Sequence, residues 1–152
     1  MSMLIDILRK AALLGFFIAF MACSSEDELP QGALNVDAKV NGVAWKGSGN
    51  SRITSLPGGF KAFAIGAGAS DRSSFAFTMT EERTGSFNLA GNAVWTTADL
   101  VVHNATSGTL NITKLDGNTV SGTFSFKARP ALGGGAEVTI TEGIFTDINI
   151  MR

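Results

Sequence analysis

Several residue types are scarce in this chain of 152 residues, which contains one cysteine, one histidine and no tyrosine. A single cysteine, Cys23, cannot form an internal disulfide or a thiolate metal cluster. A single histidine also limits catalysis, because Ser-His-Asp and Cys-His sites both need one. His103 lies out of phase with Leu100 and Val102, which predicts a solvent-facing or sheet-edge side chain. We therefore expect no cofactor, no metal site and no histidine-based enzyme.

Charged residues are also few, at 16% of the chain, and no run of lysine and arginine occurs. Once Asp6, Arg9 and Lys10 of the N-terminal segment are set aside, 12 acidic and 10 basic residues remain, a net charge near −2. A nucleic-acid-binding protein needs a basic surface that neutralises phosphates and releases their counterions. The charge balance therefore argues against a nucleic-acid partner.

The residues that are abundant favour β-structure. Hydrophobic residues make up 45% of the chain, and 11 phenylalanines and 18 glycines are present. Valine, isoleucine, threonine and phenylalanine suit the pleated surface of a sheet, whereas glycine suits tight turns. The length corresponds to one domain that is large enough to bury a hydrophobic core.

The N-terminal segment has the layout of a signal peptide. Arg9 and Lys10 precede an uninterrupted apolar run over residues 11–22. As a helix this run rises only about 18 Å, too short to cross a bilayer core of about 30 Å. Cys23 follows the run directly after a small residue, an arrangement that resembles the lipobox of bacterial lipoproteins. The resemblance implies a signal helix over residues 1–22 and a diacylglycerol anchor on the cysteine, which becomes the new N-terminus.

An acidic tail with two serines follows the predicted anchor. It comprises Ser24, Ser25, Glu26, Asp27 and Glu28. Such a run is typical of a solvated tether, and it also resembles the export signal that sends Bacteroidetes-type lipoproteins to the outer face of the outer membrane. We expect residues 23–32 to form a flexible tether, and we favour display on the cell surface over a periplasm-facing position.

Period-two alternation predicts strands in the remaining residues, 33–152. The clearest case is residues 119–128, in which apolar residues and glycine share one face and polar residues share the other. Asp116-Gly117 and Asn41-Gly42 predict tight hairpins, because these dipeptides accept positive φ angles. Alternation in residues 137–150 places Ile144 on the core face, with the other isoleucines of that segment, and Phe145 on the opposite face.

Further strands are predicted at residues 36–40, 60–68, 73–80 and 94–103, without a sustained helical period. Eight to ten short strands joined mostly by tight turns imply antiparallel pairing, and the sheet must fold over or close to bury one face. The sequence therefore predicts an all-β domain, an antiparallel sandwich or a flattened barrel. It favours the sandwich, and a closed calycin-like barrel stays open as the alternative.

Four segments together resemble a Bacteroidetes family of small lipoproteins that is known only as a domain of unknown function. They are Ala38-Lys39-Val40-Asn41-Gly42 with Trp45, residues 108–116 (GTLNITKLD), residues 120–126 (VSGTFSF) and residues 138–145 (VTITEGIF). Most of the likeness lies between residues 108 and 150. The resemblance implies a cellular location and a fold class, but it implies no activity and no functional residues.

Few side chains are candidates for a site. Trp45 and Trp95 are predicted as ligand-binding residues if their flat faces are exposed, because an exposed indole stacks on a sugar ring. Glu81 and Glu82 are adjacent on a predicted turn, where they are simply solvated. Glu142 shares the parity of the core isoleucines, so it is either a paired carboxylate on an apolar face or lies beyond the sheet edge in water.

Three function classes follow. The first is a non-enzymatic binding or structural lipoprotein of the outer membrane, with a glycan or a surface protein as partner. The second is a carrier that holds a small apolar ligand inside a barrel. The third, and weakest, is a glycoside hydrolase that uses two carboxylates.

Overall fold

A computed structural model of the chain describes residues 33–152, which form nine β-strands. The strands are β1 (Val36–Val40), β2 (Val43–Ser55), β3 (Lys61–Gly68), β4 (Ser74–Met79), β5 (Gly85–Asn88), β6 (Ala93–Thr96), β7 (Val102–Leu115), β8 (Thr119–Pro130) and β9 (Val138–Met151). The predicted all-β fold is confirmed. The predicted signal helix, Cys23 and the acidic export signal lie outside the described residues. Within residues 33–152 there is no apolar helix of membrane-spanning length.

The strands close into an antiparallel barrel of eight strands, with β5 as an extra ninth. Neighbours around the barrel follow the order β7-β6-β4-β3-β2-β1-β9-β8, and β8 pairs with β7 to complete the circle. Because β1 is short, β2 and β9 meet beyond its start in a brief parallel pairing of Ser51 with Ile150 and Arg52 with Met151. Of the architectures that the sequence left open, the structure has the closed barrel, since the long β7–β8 hairpin joins both edges of the sheet.

Both predicted hairpin turns are present. Asn41 and Gly42 have φ angles of 49° and 81° and connect β1 to β2. Gly117 has a φ of 90° in the turn between β7 and β8. The backbone N–H of Thr119 donates a 3.0 Å hydrogen bond to Asp116 Oδ1, which holds that turn closed. These turns follow from local sequence, because the left-handed conformation is accessible to asparagine and glycine at low cost.

The single strand predicted at residues 94–103 is in fact two strands separated by a turn. β6 ends at Thr96, and the Thr97 N–H donates a 3.1 Å hydrogen bond to the Val101 carbonyl across the turn. Leu100 has a φ of 64° there. The prediction missed this break because alternation alone does not report a left-handed residue within a segment.

β9 changes phase at two irregular positions, which corrects the predicted faces of its side chains. Glu142 and Asp147 have φ angles of 52° and 47° and interrupt the pleat. After Glu142 the parity shifts, so Phe145 is buried and Ile144 is 51% exposed. After Asp147 it shifts back, and Ile148 is buried. A β-bulge adds one residue to one strand and thereby exchanges its two faces.

The barrel interior is the hydrophobic core, and aromatic rings fill its centre. Phe75 lies within 4.5–6.4 Å, centroid to centroid, of five other rings, which are Trp45, Phe77, Trp95, Phe124 and Phe126. The predicted core face of residues 119–128 is confirmed, since Val120, Phe124, Phe126 and Ala128 are all buried. Small eight-stranded barrels are often filled by their own side chains in this way.

Candidate functional site

Trp45 and Trp95, the two predicted ligand-binding aromatics, both lie inside the barrel. Their side chains are 8% and 5% exposed, and their ring centroids are 6.1 Å apart. Neither indole presents a free face to solvent, so neither is available to stack on a sugar in this structure. The reason is position in the pleat: each is on the inward parity of its strand, and an aromatic of this size adds a large apolar area to the core.

Trp45 takes part in a short polar relay at the barrel wall. Its Nε1 donates a 2.7 Å hydrogen bond to the Ser73 hydroxyl, and Ser73 donates in turn to Asp71 Oδ1 at 2.5 Å. The Asp71 carboxylate also accepts the Ser73 backbone N–H at 2.8 Å. These hydrogen bonds from Ser73 lower the pKa of Asp71. The relay satisfies the only polar atom of a buried indole, which identifies it as a structural feature of the core.

His103, predicted to face solvent or a sheet edge, is buried, with 6% of its surface exposed. It pairs with Trp95 on β6 and Pro130 on β8, and its Nδ1 lies 3.2 Å from the Val101 carbonyl. The prediction was wrong because it took Val102 as an inward residue, whereas Val102 is 42% exposed at the start of the strand.

The carboxylates of the two sites considered for acid–base chemistry are engaged in ion pairs. Glu142 is exposed and lies 2.8 Å from Lys39 Nζ, which matches the solvent-facing alternative. Glu82 Oε1 accepts a 2.5 Å hydrogen bond from Arg152 Nη2, and Glu82 Oε2 lies 3.1 Å from Lys61 Nζ. The Arg152 hydrogen bond, with a smaller effect of Lys61, lowers the pKa of Glu82. A general acid of a glycosidase needs the opposite shift.

One surface depression lies at the barrel end that carries the β2–β3 and β4–β5 loops, and we call it the loop-end depression. It has a volume of about 430 Å³ and is lined by Gly59, Phe60, Lys61, Thr80, Glu81, Glu82 and Arg83. Phe60 is 71% exposed at its rim. Four of the seven lining side chains are charged. Their charges cancel within two ion pairs, Glu81 with Arg83 and Glu82 with Lys61.

A second depression lies on the barrel wall where β5 pairs with β7, and we call it the wall trough. It has a volume of about 470 Å³ and is lined by Ser86, Phe87, Asn88, Ala90, Thr106, Ser107, Gly108 and Thr109. It contains no charged side chain. Sequence reasoning missed it because β5 has only four residues and because β7 changes register between Ala105 and Ser107. The signal that was available is the alternation Ser86-Phe87-Asn88-Leu89, which ends before the Gly91-Asn92 breaker.

Within residues 33–152, no three histidine, cysteine, aspartate or glutamate side chains are grouped so as to bind a metal ion. The two depressions are candidate binding surfaces of the described domain, and the wall trough is the one of the two whose side chains are not already committed to ion pairs.

Comparison with known proteins places the domain in a family. Residues 34–149 match the model of a domain of unknown function, DUF6252. No curated protein and no solved structure matches the chain. Because the matched region covers nearly the whole described barrel and well over half of the sequence, the chain belongs to the DUF6252 family.

Proposed function

We propose that this chain is an outer-membrane lipoprotein, anchored through Cys23 and displayed on the cell surface, whose barrel is a non-enzymatic binding module. The anchor is supported by the basic flank and the short apolar run that precede Cys23, and display is supported by the acidic tail of residues 24–28. The observation that favours an outer binding surface over an internal site is the filled interior. Because aromatic rings occupy the barrel centre, a partner is left only the outer surface to bind.

A carrier of small apolar ligands is the second candidate, and the closed barrel favours it. Eight-stranded barrels either fill with side chains or enclose one small ligand. In this barrel Phe75 lies 4.5 Å from the Trp45 ring and 5.3 Å from the Phe124 ring, centroid to centroid. An internal ligand would have to displace rings whose burial stabilises the fold by several kcal/mol (roughly 3–5 for one phenylalanine). The outer-surface role therefore has better support.

A carboxylate-based hydrolase has the least support. Glu81 and Glu82 are already bound to Arg83, Lys61 and Arg152, which stabilise the ionised carboxylates. The partner classes that fit a displayed binding module are a glycan and a surface protein. A nucleic-acid partner conflicts with the net charge near −2 of the chain after the leader.

The anchor is tested by metabolic labelling with a fatty-acid analogue. Cys23→Ala is expected to abolish labelling, and Ser24→Ala, a change of the next residue that spares the thiol, is expected to leave it intact. Labelling that persists in Cys23→Ala would overturn the lipid anchor.

Display is tested by protease treatment of intact cells. Replacement of Glu26, Asp27 and Glu28 by alanine is expected to protect the protein from external protease. Digestion of both proteins in broken cells is the control, because it shows that the variant remains cleavable. Equal digestion of variant and parent on intact cells would contradict surface display by this signal.

Binding is tested with the detergent-purified full-length chain on an array of glycans and bacterial or host surface proteins. The proposal expects a ligand whose binding is unaffected by an excess of a fluorescent fatty acid. Absence of any array ligand, combined with stoichiometric uptake of the fatty acid, would replace the binding module by the carrier.

A further inference from the structure

The wall trough has a defined shape because the β5–β6 connection is hydrogen-bonded to β7. The Leu89 N–H donates to the Gly108 carbonyl at 3.0 Å, and the Gly91 N–H donates to the Ala105 carbonyl at 2.9 Å. The Ala90 N–H donates to Asn88 Oδ1 at 2.8 Å. These bonds hold the β5–β6 connection against β7. The entropic cost of ordering the trough when a ligand binds is therefore low.

A bulge in β7 contributes residues to the lining of the trough. Ala105 pairs with Ala128 and Ser107 pairs with Lys127, which leaves Thr106 as the extra residue. Gly108 has a φ of 144°, and a Cβ at this position would lie 2.5 Å from the Ser125 carbonyl oxygen. The backbone therefore approaches β8 as closely as only glycine permits. Bulges commonly re-aim side chains beside binding sites.

The lining chemistry is neutral and rich in hydroxyls. Serine and threonine hydroxyls and the Asn88 amide line the trough beside the half-buried Phe87 ring. The Arg83 guanidinium lies over that ring, with its Cζ 4.5 Å from the ring centroid, and it is paired with Glu81. Among the hydrogen bonds within residues 33–152, none uses the hydroxyl of Ser107 or Thr109, so both are free to bind a ligand. Lys127, which faces Ser107 across the β7–β8 pair, lies 3.5 Å from Glu137 and is neutralised there.

This combination selects a ligand class. A charged ligand finds no unpaired opposite charge in or beside the lining, because Arg83 is paired with Glu81. A wholly apolar ligand would desolvate hydroxyl and amide groups without replacing their hydrogen bonds. A sugar presents hydroxyls that donate and accept hydrogen bonds, and C–H groups that contact the part of the Phe87 ring that lines the trough. On the basis of the binding role proposed above, we propose that the wall trough binds an uncharged oligosaccharide.

The test is affinity electrophoresis of the detergent-purified full-length chain in gels that contain one polysaccharide each. The neutral probes are dextran, laminarin, yeast mannan and xyloglucan, and the charged probes are alginate and heparin. We expect retardation by at least one neutral polymer and by neither charged one. The double variant Ser107→Ala, Thr109→Val is expected to bind that polymer about tenfold more weakly or worse, since it lacks two hydrogen-bonding hydroxyls.

The matched control is Thr54→Val with Ser55→Ala, which makes the same changes at exposed positions of β2, four strands away from β7 in either direction around the barrel. It is expected to keep the affinity of the parent. Equal unfolding temperatures of the two double variants and the parent exclude a folding defect.

Three results would overturn the inference: retardation by no neutral polymer, retardation by a charged polymer only, or equal affinity of the trough variant and the parent. They do not by themselves overturn the proposed function. If Phe60→Ala abolishes binding while the trough variant keeps it, the ligand lies in the loop-end depression and the binding module stands. The same holds if the array identifies a protein ligand that the trough variant still binds.

Discussion

Phe124 on β8 and Gly143 on β9 are paired neighbours within the barrel wall, and the phenylalanine ring covers the glycine. A Cβ added at Gly143 would lie 2.5–2.6 Å from three atoms of the Phe124 side chain. The neighbouring pair repeats the arrangement in reverse, with Gly122 opposite Phe145. The two glycines make room for two core rings, which links the sequence pattern of these strands to the packing of the barrel.

Gly143→Ala is therefore expected to destabilise the protein by about 1–3 kcal/mol, because the added methyl must displace a ring in a filled core. Chemical denaturation measures this change. Gly68→Ala is the control, since a Cβ there meets nothing within 4 Å, and it is expected to change stability by less than about 0.5 kcal/mol. Similar losses in the two variants would show that ring packing is not the cause.

Phe124→Ala is expected to lower the free energy of unfolding by roughly 3–5 kcal/mol, since it removes a ring that is 3% exposed. Phe60→Ala removes the same side chain from a position that is 71% exposed, and a loss of less than about 0.5 kcal/mol is expected. Urea titrations of the two variants and the parent measure both losses. A loss below 0.5 kcal/mol at Phe124 would place that face outside the core.

The hydrogen bond between Trp45 and Ser73 gives a further prediction. Ser73→Ala leaves a buried indole N–H without its acceptor, which typically costs about 1–3 kcal/mol. Ser74→Ala makes the same change at the next residue, on the opposite face of the chain, and is expected to be nearly neutral. Thermal unfolding of the two variants provides the comparison, and equal melting temperatures would show that the relay does not contribute.

The stability of the folded protein is expected to depend on pH through Glu82. The Arg152 hydrogen bond and Lys61 lower the pKa of Glu82 below its ordinary value of 4.5 in the folded protein. Its ionised form is therefore favoured by folding, and this contribution is present above about pH 4.5 and is lost as the pH falls through the folded-state pKa.

Glu82→Gln is expected to reduce stability at pH 7 by about 0.5–1 kcal/mol, the range of a mostly surface ion pair. The difference between parent and variant is expected to shrink below pH 4.5, because the parent then loses the same charge. Arg152→Gln removes the largest cause of the shift, so in that background Glu82→Gln is expected to show a weaker pH dependence. A difference between parent and variant that stays constant from pH 7 to pH 3 would contradict this role.

Local pattern was sufficient to predict much of the barrel. The alternation of residues 119–128 predicted which face of β8 is buried, and Asn41-Gly42 and Asp116-Gly117 predicted both hairpins, because each feature depends on neighbours in sequence. The pairing of β1 with β9, and of β2 with β9 beyond β1, depends on contacts far apart in the chain. Alternation therefore could not decide between sandwich and barrel.

The candidate site was less predictable, because it depends on local irregularities of the strands that leave no periodic pattern in the sequence. The left-handed conformation of Glu142 inverts the phase of β9, and nothing in the sequence pattern marks it. The wall trough needs the four-residue β5 and an extra residue at Thr106, both too short to produce a period. Trp45 and Trp95 are large aromatics, and the size that would make them good platforms for a ligand also makes them effective core residues.

The central claim is that the interior of the barrel is closed and filled, so that binding occurs outside. Collisional quenching of tryptophan fluorescence by iodide tests it most directly, because Trp45 and Trp95 are the only tryptophans in the chain and both lie in that interior. The account predicts a blue-shifted emission that iodide barely quenches in the native protein and quenches strongly after unfolding in denaturant. Strong quenching of the native protein would show that the interior is open to solvent and would contradict the account.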